Sequence, residues 1–245
     1  MANARKLRGQ RQFVFRTHGG KRKGAGRPPK GPRSSEPHQK RVTFLATEPL
    51  HVNVRVDPDV GRLRKRHMYK AIREATICAA KRDDFRIVHL SIQSNHLHLI
   101  IEAQNKVALA KGMQGFQISA AKQINYAISK QRGVRRRGRV FSDRYHARVL
   151  KSPRSARNAL AYVINNWRRH GEDRAHFTKK WRVDPYSSGI YFAGWKELVE
   201  AERFLPMPPR TYESLIVWFP RTWLLREGWA RHGAVSFYEV PGPMH

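Results

Sequence analysis

Two histidines are the first residues of this sequence whose types and spacing could carry out chemistry. His96 and His98 are separated by Leu97 in an apolar stretch that predicts a β-strand. Because successive side chains of a strand point to opposite faces, both imidazoles lie on the same face. Two imidazoles this close can bind one divalent cation, with a third ligand supplied from elsewhere in the fold. The alternative interpretation is a pair of histidines on a half-buried sheet face without a metal.

A tyrosine and an asparagine on a later predicted helix could complete such a site. Tyr162 and Asn166 are four residues apart, so they share one face of that helix. A tyrosine beside a divalent metal ion can attack a phosphate as a nucleophile, because the metal neutralises phosphate charge. The side-chain oxygen of Asn166 could be the third ligand or a partner of the metal's other ligands. The alternative interpretation is a tyrosine packed between a helix and a sheet.

Seven predicted elements must position these side chains, in the order strand, helix, strand, strand, helix, strand, helix. Their ranges are 50–56, 63–82, 85–92, 96–102, 107–132, 140–150 and 156–170. The second and third strands form a hairpin, and two glycines predict a weak point in the second helix, Gly112 and Gly115. The first six elements have the order of a ferredoxin-like α+β sandwich. We therefore predict an antiparallel sheet carrying the two histidines and a further helix carrying Tyr162.

The charge of the chain indicates a nucleic-acid partner. Its 245 residues include 49 Lys and Arg against 18 Asp and Glu, for a formal net charge of +31. A hydrophobic fraction of 40% is compatible with a folded core, and the single cysteine, Cys78, excludes an internal disulfide. No apolar run approaches the roughly 20 residues of a membrane span. We expect a cytoplasmic, nucleoid-associated protein without a membrane partner.

Two strongly basic segments are candidates for DNA contact. Residues 1–41 are predicted to be a disordered arm, in which residues 21–30 resemble an AT-hook, with Arg27 held extended for an A·T-rich minor groove. The alternative for the arm is a solvated tail that binds phosphates without specificity. The second segment is a loop with five arginines within eight residues: Arg132, Arg135, Arg136, Arg137 and Arg139. Like charges this dense favour an anionic partner over a solvated loop.

The motifs resemble those of a known family. Residues 95–102 (NHLHLIIE), followed by residues 161–166 (AYVINN), resemble the single-tyrosine HUH transposases, in which HUH denotes histidine, a hydrophobic residue and histidine. The resemblance is strongest to the bacterial REP-associated tyrosine transposases, which are related to single-strand insertion-sequence transposases. Residues 141–146 (FSDRYH) resemble the segment that precedes the tyrosine helix in this family. The resemblance covers residues 42–170.

The resemblance implies a mechanism and a set of site residues. His96 and His98 would bind Mg²⁺ or Mn²⁺ together with Asn166, which stands where several relatives have glutamine. Tyr162 would attack a phosphate of single-stranded, hairpin-containing DNA, giving a 5′-phosphotyrosine and a free 3′-OH. The 3′-OH of another strand would reverse the step and rejoin DNA. Arg144 is assigned to DNA contact with the basic loop.

Two rival functions remain beside the transposase. One is a catalytically inactive protein that binds structured DNA or RNA, and the other is a replication initiator or relaxase of the wider HUH class. Retention of both histidines and the tyrosine favours an enzyme, and a single tyrosine without a helicase favours a transposase. The predicted organisation is an arm (1–41), an HUH transposase domain (42–170) and a C-terminal extension packed on the body (171–245). We expect a monomer, with a dimer that exchanges tyrosine helices as the alternative.

Overall fold

A four-stranded antiparallel sheet organises the residues described by the computed structural model, which are 42–176, 179, 181–201 and 213–242. Its strands are β1 (Leu50–Arg55), β2 (Phe85–Ile92), β3 (His96–Ala103) and β4 (His146–Val149), in the order β2-β3-β1-β4. The helices are α1 (Arg66–Ala80), α2 (Lys106–Arg132), α3 (Pro153–Arg169), α4 (Lys196–Ala201) and α5 (Trp223–Arg226). The predicted ferredoxin-like α+β sandwich is confirmed. The basic arm, with Arg27 and the AT-hook-like segment, lies outside the described residues.

Helices α1 and α2 cover one face of the sheet because the strands alternate. Leu50, Val52 and Val54 of β1 are fully buried on that face and join a core with the apolar sides of both helices. The predicted weak point in α2 is absent, since the helix is continuous through Gly112. A Cβ atom at Gly112 would lie 2.2 Å from Cγ of Phe85, so glycine is required for α2 to approach β2.

Helix α3 packs on the opposite face and carries the tyrosine. The helix begins where the Ser152 hydroxyl accepts from the Ser155 N–H, with Pro153 in its first turn. Its apolar residues form a second core with Val88 and Ile100 of the sheet. The chain leaves the helix at Gly171, whose φ of 66° lies in the left-handed region.

The fourth strand is shorter than the predicted 140–150. The Ser142 N–H donates to the Arg55 carbonyl, and the Val140 carbonyl accepts from the Asp57 N–H. Residues 140–142 therefore run beside the end of β1 before the chain bends and enters β4. The regular ladder is limited to four residues for this reason.

The described C-terminal residues pack against α3 and form hydrogen bonds with it. Trp195, Trp229 and Phe237 complete the second core. The Asn165 amide donates to the Ser236 carbonyl at 2.9 Å, and the Arg169 guanidinium donates to the Pro241 carbonyl at 3.1 Å. Within the described ranges, no helix combines the length and apolarity needed to cross a bilayer.

Candidate active site

His96 and His98 converge on one point of the sheet face that α3 covers. Their Nε2 atoms are 2.8 Å apart, while the intervening Leu97 is buried in the core on the other face. Each Nδ1 atom is engaged elsewhere. His96 Nδ1 lies 2.7 Å from the Asn95 side-chain oxygen, and His98 Nδ1 lies 3.2 Å from His51 Nε2.

The hydrogen-bond partners of the Nδ1 atoms bear on which ring nitrogen of each histidine carries the proton. The Asn95 oxygen accepts, so His96 carries its proton on Nδ1 and leaves a lone pair on Nε2. If His98 donates from Nδ1 to His51, its Nε2 is bare as well. In that tautomer two lone pairs face each other at 2.8 Å, an arrangement that a shared cation stabilises, whereas in the other tautomer His98 donates from Nε2 to His96. Hydrogen bonding through the second ring nitrogen is also the usual way in which metal-binding histidines are oriented. The pair therefore fits a divalent metal.

Burial keeps these imidazoles neutral. It lowers the pKa of His96 to about 4, with the positive charges of His170 and Arg55 adding to the effect. It also holds the pKa of His98 well below its usual value. The pKa of His51 is lowered to about 3 by burial and by its positively charged neighbours on β4. Neutral imidazole is the form that binds metal ions.

Helix α3 brings Tyr162 and Asn166 over the histidines. The Tyr162 ring is half-buried, with its centroid 5.0 Å from that of His98 and 5.8 Å from that of His51. One face of the helix presents Tyr162, Asn166 and His170 at four-residue spacing, and the His170 ring lies 6.0 Å from His96. Since both ends of this row contact histidines of the site, Asn166 lies between them and faces β3.

Asn166 is the third candidate ligand. Its side chain is fully buried, and neither amide atom has a hydrogen-bond partner among the described residues. Buried polar atoms without partners are costly, so this amide indicates a ligand. The described residues contain no cluster of three or more His, Cys, Asp or Glu side chains able to hold a metal. A third protein ligand to the two histidines would therefore be of another type, and the Asn166 amide is a candidate.

Sequence reasoning missed His51, which lies on β1 opposite Ile100 of β3. Its strand alternates regularly, but only the pairing of β1 with β3 shows that this histidine reaches His98. Two other histidines stay outside the pair formed by His96 and His98. His89 Nδ1 lies 3.1 Å from the Ser188 hydroxyl, and His170 is the C-cap residue of α3.

The basic loop lies beside the histidine end of the sheet. Arg139 pairs with Asp57 at 3.0 Å, just beyond the end of β1, where Arg55 stands opposite His96. Arg136 donates to the Asn125 side chain and to the Arg139 carbonyl, which holds the loop in shape. Three further arginines, like Arg144 in the next segment, are exposed: Arg132, Arg135 and Arg137.

Comparisons with known proteins give one family model and several similar solved structures. Residues 51–166 match the family model described as "Transposase IS200 like". Among solved structures, a REP-associated tyrosine transposase bound to a REP hairpin is 15% identical and covers 74% of this chain and 99% of its own, with a TM-score of 0.49. A putative transposase from Deinococcus radiodurans R1 is 12% identical, covers 48% of this chain and 86% of its own, and has a TM-score of 0.35.

A bacterial tRNA(His) guanylyltransferase-like protein in complex with GTP is also 12% identical, covers 56% of this chain and 71% of its own, and has a TM-score of 0.38. No curated protein matches the chain. The family match begins at His51 and ends at Asn166, so it contains both histidines of the sequence motif and the tyrosine. Through this segment, which is just under half of the chain, the protein is similar to the IS200-like transposases.

Proposed function

We propose that this protein is a metal-dependent transposase that cleaves and rejoins single-stranded, hairpin-containing DNA, with Tyr162 as the nucleophile. The observation that carries the proposal is the placement of the Tyr162 ring 5.0 Å from His98, whose Nε2 converges with that of His96. The match to the family model supports DNA transposition, and the net charge of +31 supports a DNA partner.

The residues that would hold Mg²⁺ or Mn²⁺ are His96, His98 and Asn166. When bound, the ion would neutralise charge on the phosphate and so lower the barrier to attack. The donors are two neutral imidazoles and one buried amide oxygen, and none of them brings a negative charge. The site would therefore keep most of the ion's positive charge available to the phosphate.

The tyrosine step is balanced without water. The phenol oxygen of Tyr162 forms a bond to phosphorus, and the bond from phosphorus to the 3′ oxygen breaks. The phenol loses one proton and the departing 3′ oxygen gains one. The 5′-phosphotyrosine retains the energy of the broken bond, so the 3′-OH of another strand can reverse the step. The Arg169 guanidinium lies over the Tyr162 ring, 6.0 Å from its centroid.

Arginines around the site would position the DNA. Those of the loop and of the following segment are proposed as phosphate contacts: Arg132, Arg135, Arg136, Arg137, Arg139 and Arg144. Arg27 of the arm is proposed as a further DNA contact. Such contacts fix the position of the DNA without reading its sequence, and they make binding strongly dependent on salt.

The test is the formation of a covalent adduct on DNA. Single-stranded oligonucleotides copied from the palindromic flanks of the gene are labelled at the 5′ or the 3′ end in separate reactions. They are incubated with Mn²⁺ or EDTA and resolved on a denaturing protein gel. We expect a metal-dependent adduct that carries the 3′-labelled fragment, present in wild type and absent in Tyr162→Phe.

The matched control is Tyr126→Phe, which removes an exposed phenol from α2 on the other side of the sheet. This variant is expected to form the adduct as wild type does. A shift in a native gel with no adduct on any flank would contradict the enzyme and favour an inactive DNA-binding protein. An adduct carrying the 5′-labelled fragment would contradict the polarity of the proposed link.

A further inference from the structure

Helix α3 covers only half of the sheet face that carries the site. The helix packs on β2 and β3. On the same face, β1 and β4 present Asn53, Arg55, His146 and Arg148, a group we call the open half-face. Arg55, His146 and Arg148 are exposed, whereas the residues of β2 and β3 beneath α3 are buried. A strip of sheet surface is thus accessible beside the tyrosine helix.

The register of the sheet places this strip against the site. Arg55 pairs with His96, and Asn53 pairs with His98 across β3. Arg148 pairs with His51, whose ring contacts Tyr162. His51 and Arg55 are four residues apart on β1, a rise of about 13 Å. Arg55 and Arg148 therefore lie on opposite sides of Tyr162 along the direction of β1.

The strip has the electrostatics of an anion site. Neither Arg55 nor Arg148 forms an ion pair within the described residues. The four strands contain one acidic residue, Glu102, and its carboxylate is occupied by the backbone N–H groups of Arg221 and Thr222. The positive charge on this face is therefore not neutralised by the sheet itself.

A second observation also indicates a ligand on this strip. The side-chain oxygen of Asn53 is buried and has no hydrogen-bond partner in the described part of the chain. Asn53 lies between His51 and Arg55 on β1, so its side chain is on the same face of the sheet as theirs. Phosphate and deoxyribose only accept hydrogen bonds within a DNA strand, so the missing donor on DNA would be a base N–H group.

We propose that the open half-face holds the DNA backbone on both sides of the phosphate attacked by Tyr162, with Arg55 and Arg148 each gripping one neighbouring phosphate. The proposal rests on the proposed function, since it takes Tyr162 as the nucleophile. A guanidinium suits this role because its planar fork can bind two phosphate oxygens at once. The strand would then lie along β1, at the uncovered side of α3, and present one phosphate to the tyrosine.

The test removes one charge from the protein and one from the DNA. The cleaved position is first mapped from the adduct. Oligonucleotides are then made with a single neutral methylphosphonate at each phosphate flanking that position. Binding is measured in EDTA on a Tyr162→Phe background, with Arg55→Gln or Arg148→Gln added. Lys111→Gln, on exposed α2 surface across the sheet, is the control for net charge.

We expect one neutralised phosphate to weaken binding about 10- to 100-fold, and to have no further effect once its own arginine is replaced. The control variant should remain sensitive at every position. Independent effects at all positions, for both arginines, would overturn this inference and leave the proposed function intact provided the adduct forms. If wild type neither binds these oligonucleotides nor forms an adduct, both proposals fall together.

Discussion

His51 Nε2 lies 3.2 Å from His98 Nδ1, so a histidine of β1 fixes the ring of a histidine of β3. We predict that His51→Leu lowers the affinity for Mn²⁺ about 10- to 100-fold, because His98 loses the partner that orients its ring and sets its tautomer. Direct titration of Mn²⁺, followed by electron paramagnetic resonance, measures this affinity without any DNA.

His51→Gln should recover part of the affinity, since its amide can still accept from His98 Nδ1. His232→Leu replaces an exposed histidine in a C-terminal turn and should leave Mn²⁺ binding unchanged. Equal Mn²⁺ affinity in wild type and His51→Leu would show that His51 does not position His98.

Two adjacent asparagines of α3 should respond in opposite ways to the same substitution. Asn166 is buried and neither of its amide atoms has a partner among the described residues, whereas Asn165 is buried and donates to the Ser236 carbonyl. In EDTA, we predict that Asn166→Leu leaves the free energy of unfolding unchanged or raises it. Asn165→Leu should lower it by about 1–3 kcal/mol, because the Ser236 carbonyl loses its donor.

Added Mn²⁺ separates the roles of these asparagines further. It should raise the urea midpoint of wild type and of Asn165→Leu more than that of Asn166→Leu, since a ligand that binds the folded state stabilises it according to its affinity. Strong destabilisation of Asn166→Leu in EDTA would instead assign this side chain a structural role.

A buried ion pair ties the C-terminal residues to the start of α1. The Arg64 guanidinium donates to both Asp184 oxygens at 2.9 and 2.8 Å, and both side chains are almost fully buried. We predict that Asp184→Asn lowers the free energy of unfolding by about 3 kcal/mol, because the buried guanidinium loses its close carboxylate partner and, among the described residues, keeps only Glu172, at 3.7 Å. Urea unfolding at neutral pH measures the loss.

The half-exposed pair of Arg82 and Asp84 has comparable distances and provides the control. Asp84→Asn should cost no more than about 1 kcal/mol, because solvent screens exposed charges. Similar losses for the two variants would mean that burial does not set the strength of the Arg64 pair.

The stability of the fold should fall below neutral pH. Burial lowers the pKa of His89 to about 4 from its ordinary 6.5. Between about pH 6.5 and pH 4, His89 is therefore protonated in the unfolded chain and neutral in the folded state. The free energy of unfolding falls as the pH is lowered across that range. His89 alone accounts for a loss of about 2 kcal/mol between pH 7 and pH 5.

The matching variant is His89→Asn, whose amide can still reach Ser188 but does not titrate. Urea unfolding of both proteins at pH 7 and pH 5 should show a smaller loss in the variant by about that amount. Other buried histidines contribute equally to both proteins, so identical losses would contradict the assignment to His89.

Local patterns were sufficient to predict most of the fold. The second strand was predicted at its observed bounds, 85–92, because a short run rich in aromatic and β-branched residues and bounded by polar residues is typical of a strand. The prediction of a weak point at Gly112 was wrong. It rested on helix propensity alone, in which glycine is unfavourable. The contact with Phe85, distant in sequence, makes glycine necessary there.

The candidate site was predictable only where its residues are close in sequence or lie on one helix. The spacing of His96 and His98, and of Tyr162 and Asn166, follows from strand and helix periodicity. His51, Arg55 and Arg148 have no local signal, because their role depends on which strands pair and in which register. Register is set by contacts distant in sequence, which a single-chain pattern does not contain.

The residues that match the family model and the residues that pack behind α3 lie in different parts of the chain. The family match ends at Asn166, yet the side of the helix turned away from the sheet packs on Trp195, Trp229 and Phe237. A chain cut soon after α3 would keep every side chain of the candidate site. It would also expose the apolar side of the helix that carries Tyr162. The residues that hold this helix in place therefore lie largely outside the segment that matches the family model.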